Sequence, residues 1–309
     1  MSDQNTFKLK FWGVRGSIPC PGPDTVKYGG NTTCFEITCG NKRIIIDAGT
    51  GIRLLGKHIL MNEGNILDAD LFFTHTHMDH IAGLPFFVPI YNPKNNLRLF
   101  AGHLAPPHDL DGIIDTMLMK DPLFPVPSKL IEQACTFSDF SCGETFEPGD
   151  GIVVKTGKLN HPNGACGYRI EYAGKVISIC TDTEHFDDGL DQTVLSLSRD
   201  ADVMVYDAAY TDEDYPKFKG WGHSTWQEAI KVAEEANVKN YNFDHPDAFD
   251  VPAILDCIRH LKQGLPYDVP TYDFTTHQRT AEVIRVTPGD VIILEGILVL
   301  HMQRIYLLY

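Results

Sequence analysis

The sequence predicts an α/β fold in which helices cover sheets, as opposed to an all-β sandwich. Two patterns and their order predict it. Short apolar runs bounded by turn residues read as strands at Phe7–Trp12, Cys34–Thr38, Arg43–Ile46, Leu71–Thr74, Ile152–Thr156, Tyr168–Tyr172, Val176–Cys180, Asp202–Tyr206 and Tyr241–Phe243. Helical periodicity comes between and after them, at Ile52–Leu60, Ile113–Lys120, Trp226–Ala236 and Val251–Lys262. No repeat or low-complexity tract interrupts the order. The stretch from Asn92 to Pro127 is rich in Pro, Asn and Asp and reads as a long excursion from the core, a lid or substrate loop.

Composition narrows the function. At 309 residues, 43% apolar and 22% charged, the chain is an ordinary globular one with room for one large domain or two small ones. No run approaches the roughly eighteen apolar residues of a membrane helix. The polar segment Met1–Lys10 does not read as a signal peptide, so the expected location is the cytoplasm. The 8 cysteines form no C-x-x-C pair, which predicts reduced thiols and no cysteine zinc site. A net charge of −15 opposes binding of long nucleic acid, whose phosphates need Lys and Arg. Most of that charge reads as solubility, and the remainder suits a carboxylate-rich pocket for divalent cations.

The chemistry concentrates in Thr74-His75-Thr76-His77-Met78-Asp79-His80, directly after the apolar run Leu71-Phe72-Phe73. Extended backbone places His75 and His77 on one side, and Asp79 and His80 turn toward a second point. Imidazole and carboxylate are ligands for zinc, or for manganese and iron in a mixed site. A solvated His-rich turn is the bland alternative, and the density of the pattern argues against it.

With this motif the sequence resembles the metallo-β-lactamase superfamily, from residue 7 to about 245. The resemblance implies an αβ/βα sandwich of two mixed sheets with outer helices. It matches Asp47 in Ile46-Asp47-Ala48-Gly49 to an aspartate that orients the ligands. It matches His161 in Asn160-His161-Pro162 to the next ligand, and Asp182 in Thr181-Asp182-Thr183-Glu184 to a carboxylate bridging two metals. Trp221-Gly222-His223-Ser224-Thr225 resembles the G-H-S-T segment of the ribonuclease Z-like branch, where the histidine contacts the scissile phosphate or donates a proton. The alternative for His223 is a helix-entry residue, with Ser224 or Thr225 as the cap. The last ligand of this branch falls on His245, 22 residues after His223. The implied cofactors are two divalent cations, zinc first, with manganese or iron as alternatives. One is held by His75, His77 and His161, the other by Asp79, His80 and His245, with Asp182 between them. The implied catalytic residues are Asp79, Asp182 and His223. Phe11–Pro19 and Tyr28–Thr33 resemble small bacterial phosphodiesterase-like members, some of them acting on cyclic substrates. Tyr28, Asn31 and Arg15 either face the pocket or fix the first hairpin.

The segment around His245 has a second resemblance. Asn242-Phe243-Asp244-His245-Pro246, Tyr272-Asp273-Phe274-Thr275-Thr276-His277 and Gly289-Asp290-Val291-Ile292-Ile293-Leu294-Glu295-Gly296 resemble uridine kinase signatures in that family's order. This implies a P-loop-kinase-type fragment in which Asp244 contacts ribose hydroxyls and Tyr272 and His277 contact the base. No G-x-x-x-x-G-K-[ST] loop accompanies it. Gly51–His58 comes nearest but ends in His and continues the Asp-Ala-Gly segment. The expected organisation is a hydrolase domain over 1–245 and a kinase-like fragment over 246–309, joined near residues 238–245. The expected function is a binuclear metal-dependent hydrolase acting on a small phosphodiester, cyclic ones included, through water activated by the metals. The alternative is a uridine/cytidine kinase-related chain with no complete ATP site. A thioester, lactam or lactone also suits the fold, and self-association as a homodimer is left open.

Overall fold

Alternation along two central strands sets the layers. The structure, a computed structural model, describes residues 6–239, 256–257, 259–261, 263–273 and 278–287. The chain divides into two compact units, Met1–Tyr241 and Asn242–Tyr309. In the first unit a 6-stranded sheet runs in the order β1 (Phe7–Gly13), β2 (Cys34–Cys39), β3 (Lys42–Ile46), β4 (Asp68–Phe73), β5 (Asn96–Ala101), β6 (Cys135–Asp139). Its first three strands pair antiparallel, and β3 to β6 pair parallel. A 5-stranded sheet comprises β7 (Thr145–Gly149), β8 (Ile152–Leu159), β9 (Ala165–Tyr172), β10 (Lys175–Cys180) and β11 (Val203–Tyr206). It is antiparallel except for the parallel β10–β11 pair.

Successive strand residues face opposite sides of a sheet. Ile44, Ile46 and Phe72 therefore join Val154, Tyr168, Ile170 and Ile179 in a buried cluster between the sheets. Their neighbours Ile45, Leu71 and Phe73 join a second cluster with Ile52, Leu55 and Ile59 of α1 (Ile52–Asn62). Between α1 and the last two helices come two short ones, α2 (Met78–Ile81) and α3 (Leu110–Ile113). On the other sheet, Leu159, Ala165 and Cys180 pack with Val194 and Leu197 of α4 (Gln192–Ser198) and Val232 of α5 (Trp226–Glu235). The layers are thus helix, sheet, sheet, helix, the expected αβ/βα sandwich. Asp191 caps α4 by accepting from the Thr193 and Val194 amides, and Thr225 caps α5 by accepting from Glu228.

The excursion expected over Asn92–Pro127 needs correction. Asn96–Ala101 is the interior strand β5, with Leu97, Leu99 and Ala101 buried. The polar turn before it hides a plain two-residue alternation. The helix expected at Ile113 begins at Leu110 and continues as a π-turn over Ile114–Leu118. Strands β6 and β7 and helix α4 carry no signal strong enough to be read beforehand. Gly56 and Lys57 lie inside α1, with the Phe87 ring against Gly56, so the Gly51–His58 stretch is not a phosphate loop. All 8 cysteines are free. Among the described residues no helix is long and apolar enough to cross a membrane.

In the second unit, β12 (Tyr267–Asp273) and β13 (Gln278–Val286) form an antiparallel hairpin. The strand expected at Tyr241–Phe243 lies outside the described residues. Of the helix expected over Val251–Lys262, positions 256, 257 and 259–261 are helical.

Phe72 is central to the sheet–sheet core. It stacks on Phe100 at 4.6 Å and contacts Phe146 and Tyr168. Phe72→Ala is expected to cost about 3–5 kcal/mol of stability, by lost burial plus a cavity. The check is the urea midpoint at unchanged m-value.

Candidate metal centre

The centre forms where strands end. Asp47 follows β3, Thr74 to His77 follow β4, His161 follows β8, Asp182 follows β10 and Asp207 follows β11. Loops at the carboxyl ends of strands are where sheets of this class place ligand-binding groups. Two of these aspartates, Asp47 (φ 62°) and Asp182 (φ 55°), turn the chain through the left-handed region, which aspartate tolerates better than most residues. Gly49 follows the first of these turns. A Cβ there would lie 2.2 Å from the Asp79 carbonyl oxygen, so only glycine lets the two ligand-bearing loops close on each other.

Asp47 is fully buried and accepts three hydrogen bonds: from the Thr74 amide (2.7 Å), the Thr74 hydroxyl (2.8 Å) and His80 Nδ1 (2.7 Å). With Nδ1 committed, His80 turns Nε2 inward, 3.3 Å from Asp79 Oδ2 and 3.4 Å from Asp182 Oδ2. That Nε2 is buried and has no hydrogen-bond partner. Nearby, His77 Nδ1 lies 2.9 Å from His75 Nε2 and 3.2 Å from His161 Nε2. Ligand atoms of His75, His77 and His161 gather within 4.8 Å of one another, as do those of His75, His80 and Asp182.

These observations fit metal ions. Bonds of about 2.0–2.1 Å to a tetrahedral zinc separate neighbouring nitrogen or oxygen ligands by about 3.3 Å. The spacings of 2.9–3.4 Å found here match that edge. Burial, followed by its histidine neighbours, pushes the His75 imidazole well below its ordinary range, and His77 is lowered in the same way. Neutral imidazoles are the form that binds metal. Burial opposes a charged Asp79, yet His80 and the Ser17 amide outweigh it and hold that carboxyl at about 2. Burial also opposes a charged His80, but Asp47 and Asp182 raise it well above the usual imidazole range.

Supporting residues fix these side chains. His161 Nδ1 hydrogen-bonds the Gly222 carbonyl at 2.8 Å, which leaves Nε2 for the cluster. Gly222 has φ 85°, and a Cβ there would sit 2.3 Å from His161 Nδ1. Glu184 holds that glycine turn by accepting from the Gly220 amide (2.8 Å), the Gly222 amide (2.8 Å) and the Tyr215 hydroxyl (2.8 Å). The Ser17 amide donates to Asp79 Oδ2 at 2.8 Å. His103, pushed down to about 4 by burial and its histidine neighbours, contacts the Thr76 hydroxyl at 3.0 Å, between two of the cluster histidines.

His223 sits at the margin of the cluster. Its Nδ1 lies 2.8 Å from Asp207 Oδ2 and 3.8 Å from Asp182 Oδ1. The hydrogen bond to Asp207 raises the His223 pKa against the opposing effect of burial. Asp207 also accepts from the Ser224, Ala209 and Thr183 amides. Sequence reasoning overlooked Asp207 although it obeys the rule that identified Asp47 and Asp182, an aspartate closing an apolar strand. The Ser17 amide and Glu184 left no comparable signal, because a main-chain donor and a loop-bracing carboxylate have no residue pattern.

The structure brings together His75, His77, Asp79, His80, His161, Asp182 and His223. A cavity of about 510 Å³ opens beside them, with Asp182, Asp207, His223, Phe11, Arg15 and Tyr210 among its lining residues. Tyr28 and Asn31 are not among its lining residues. Tyr28 is exposed under Lys27, and Asn31 fixes the first hairpin through its carbonyl and through its side chain to Thr50. Asp244, His245 and His277 lie outside the described residues. Tyr272 is in β12, and its side chain is likewise outside the description.

Two outcomes follow from this geometry. Zinc must displace the proton that Asp47 and Asp182 favour on His80, so binding is expected to release protons and to tighten as pH rises above the ordinary imidazole range. Calorimetry in two buffers of unlike ionisation enthalpy measures it. Glu184→Ala is expected to weaken zinc at the His75/His77/His161 position about 10–100-fold. Glu184→Gln, which keeps an acceptor for the glycine amides, is expected to recover part of the loss in a chelator competition.

Comparison with known proteins places the two parts separately. Residues 42–246 match the beta-lactamase superfamily domain, and residues 224–309 match the phosphoribulokinase/uridine kinase family. A chloroplastic uridine/cytidine kinase of Arabidopsis thaliana is 58% identical over 73 residues, which cover 23% of this chain and 15% of that protein. Uridine kinase of Streptococcus gordonii is 43% identical over 88 residues, 28% of this chain and 38% of that one. The chain therefore spans well under half the length of these kinases. Among solved structures, the metallo-beta-lactamase fold protein YhfI from Bacillus subtilis superposes with a TM-score of 0.55 at 16% identity, over 76% of this chain and 84% of that one. The short form of human tRNase Z gives 0.55 at 20% identity, over 75% and 89%. A diphosphatase of the PhnP family gives 0.53 at 17% identity, over 75% and 83%. With the match over residues 42–246 spanning most of the chain, and the strand-end histidines and aspartates converging inside it, the chain belongs to the beta-lactamase superfamily.

Proposed function

We propose that the first unit is a metal-dependent phosphodiesterase that uses two divalent cations, zinc foremost, on a small phosphodiester, cyclic ones included. The observation that carries this reading is the Asp207–His223 pair, with His223 Nδ1 3.8 Å from Asp182, beside the ligand cluster and on the cavity wall. A phosphodiester expels an alkoxide, which needs a proton donor as well as a metal centre. The tRNase Z and the diphosphatase among the structural neighbours agree with this reading.

His75, His77 and His161 would hold one cation, and Asp79 and His80 the other, with Asp182 between them. Bound there, the cations supply an acidified water and neutralise charge on the phosphoryl oxygens. Asp207 holds the proton on His223 Nδ1, so Nε2 is the nitrogen that serves the substrate. The oxygen of water bonds to phosphorus as the P–O bond to the leaving alcohol breaks. The leaving oxygen takes its proton from protonated His223, and the proton lost by the water restores His223.

The C-terminal match favours a second reading, a nucleoside-binding relic of a kinase. Conversion of uridine and ATP to a nucleotide by the full chain would support it, and Gly56 and Lys57 lying within α1 count against it.

His223→Ala is expected to lower kcat on a 2′,3′-cyclic nucleotide by ~10²–10⁴-fold at unchanged zinc content. On bis(p-nitrophenyl) phosphate, whose nitrophenolate leaves without a proton, the loss is expected to be far smaller. Equal losses on the two substrates would show that His223 is not the acid.

A further inference from the structure

The cavity beside the metal centre has a feature that the hydrolytic reading does not use. Its volume of about 510 Å³ falls within the roughly 300–1,000 Å³ of pockets that enclose small ligands. Its lining combines Asp182, Asp207 and His223 with the apolar Phe11, Val14, Phe35 and Val205. Arg15 is the lone permanent cation among the lining residues. Other arginines of the first unit are engaged by the protein, such as Arg43 with Glu36 and Glu63, Arg98 with Asp68 and Asp70, and Arg169 with Glu171. Among the described residues no carboxylate pairs with the Arg15 guanidinium.

The backbone that carries Arg15 is held on both sides. The Val14 and Arg15 amides donate to the Asn31 carbonyl at 3.1 and 3.0 Å. Two residues later the Ser17 amide donates to Asp79 Oδ2 at 2.8 Å, with Ser17 turned to φ 67°. A carboxylate of the candidate metal centre thus anchors the loop that presents the arginine. This matters in a chain of net charge −15, where the cavity lining offers an anionic substrate no other permanently positive side chain.

We propose that Arg15 binds the non-bridging oxygens of the substrate's phosphodiester and that the apolar lining residues seat a planar group on the retained side of the ester. The substrate class is then a monoanionic phosphodiester of mononucleotide size that carries a nucleobase or similar ring. This deepens the phosphodiesterase reading and rests on it. A guanidinium is suited to the task because its fixed donor fork matches two oxygens at once, which an ammonium does not.

The test uses the zinc-loaded full chain and two diesters with the same leaving group, bis(p-nitrophenyl) phosphate and methyl p-nitrophenyl phosphate. Wild type is expected to favour the first by at least about tenfold in kcat/KM, the size of effect one buried apolar group gives. Arg15→Met is expected to raise KM for it by about tenfold or more, with kcat changed far less and zinc content unchanged. Arg15→Lys is expected to fall between them. An Arg15→Met protein with wild-type KM and full zinc would overturn the arginine's role while leaving the hydrolase reading intact. Equal kcat/KM for the two diesters in wild type would overturn the planar-group assignment. No turnover of either diester by zinc-loaded wild type would overturn the phosphodiesterase reading, and this one with it.

Discussion

A single buried carboxylate ties the centre to the fold. Asp47 has no solvent contact, and burial raises its pKa, against the lowering effects of His80 and Thr74. Its three hydrogen bonds join the end of β3 to the loop after β4 and to α2. A buried charge without partners costs several kcal/mol, so each partner is held as firmly as the aspartate itself. The consequence runs outward. Because His80 must offer Nδ1 to Asp47, its Nε2 is aimed at Asp79 and Asp182. The gap of 3.3–3.4 Å to their carboxylate oxygens then has the dimensions of a cation's coordination shell.

The same logic recurs in weaker form around the cluster. Several of the inward side chains have a partner that fixes their orientation. Gly222 does this for His161, the Ser17 amide for Asp79, and Asp207 for the Nδ1 of His223. These partners come from the loops after β1 and β11 and just before α5. The αβ/βα layering therefore has a functional effect. Two sheets packed through Phe72, Tyr168 and their neighbours bring the carboxyl ends of β3, β4, β10 and β11 to one edge. Strand register, set by alternation, then fixes the separation of the loops that carry the cluster.

How much of this was legible depended on whether a residue type or a geometry carried the information. The ligand motif His75–His80 was plain because imidazole and carboxylate so dense after an apolar strand have few structural uses. His161 and Asp182 needed the resemblance to be singled out, since a lone Asn-His-Pro or Thr-Asp-Thr is common. Asp207 was available to the rule of an aspartate ending an apolar run but lacked a motif to draw notice to it. Strand β5 was concealed by the polar turn before it, although Leu97, Leu99 and Ala101 alternate cleanly. The roles of Ser17 and Glu184 were not legible at all. One acts through its main chain, and the other braces a glycine turn whose path only the folded chain defines. Asn31 had two readings in the sequence, a pocket-facing residue or a brace of the first hairpin, and the fold uses its carbonyl to close that hairpin.

The region where the two family matches overlap, residues 224–246, shows how packing assigns a segment that sequence similarity leaves shared. Helix α5 lies within both matches. Its buried face, Val232 and Ala233, continues through Ala236 and Val238 into the cluster formed by Leu159, Cys180, Val194 and Leu197 of the hydrolase. The Thr225 cap begins that helix, and the Lys239 amide donates to the Ala201 carbonyl after it ends. Apolar burial on this scale, several side chains at about 1.5–3 kcal/mol each, outweighs any local preference that a shared motif encodes. Up to Val238 the chain is therefore hydrolase in structure, whatever its sequence also resembles.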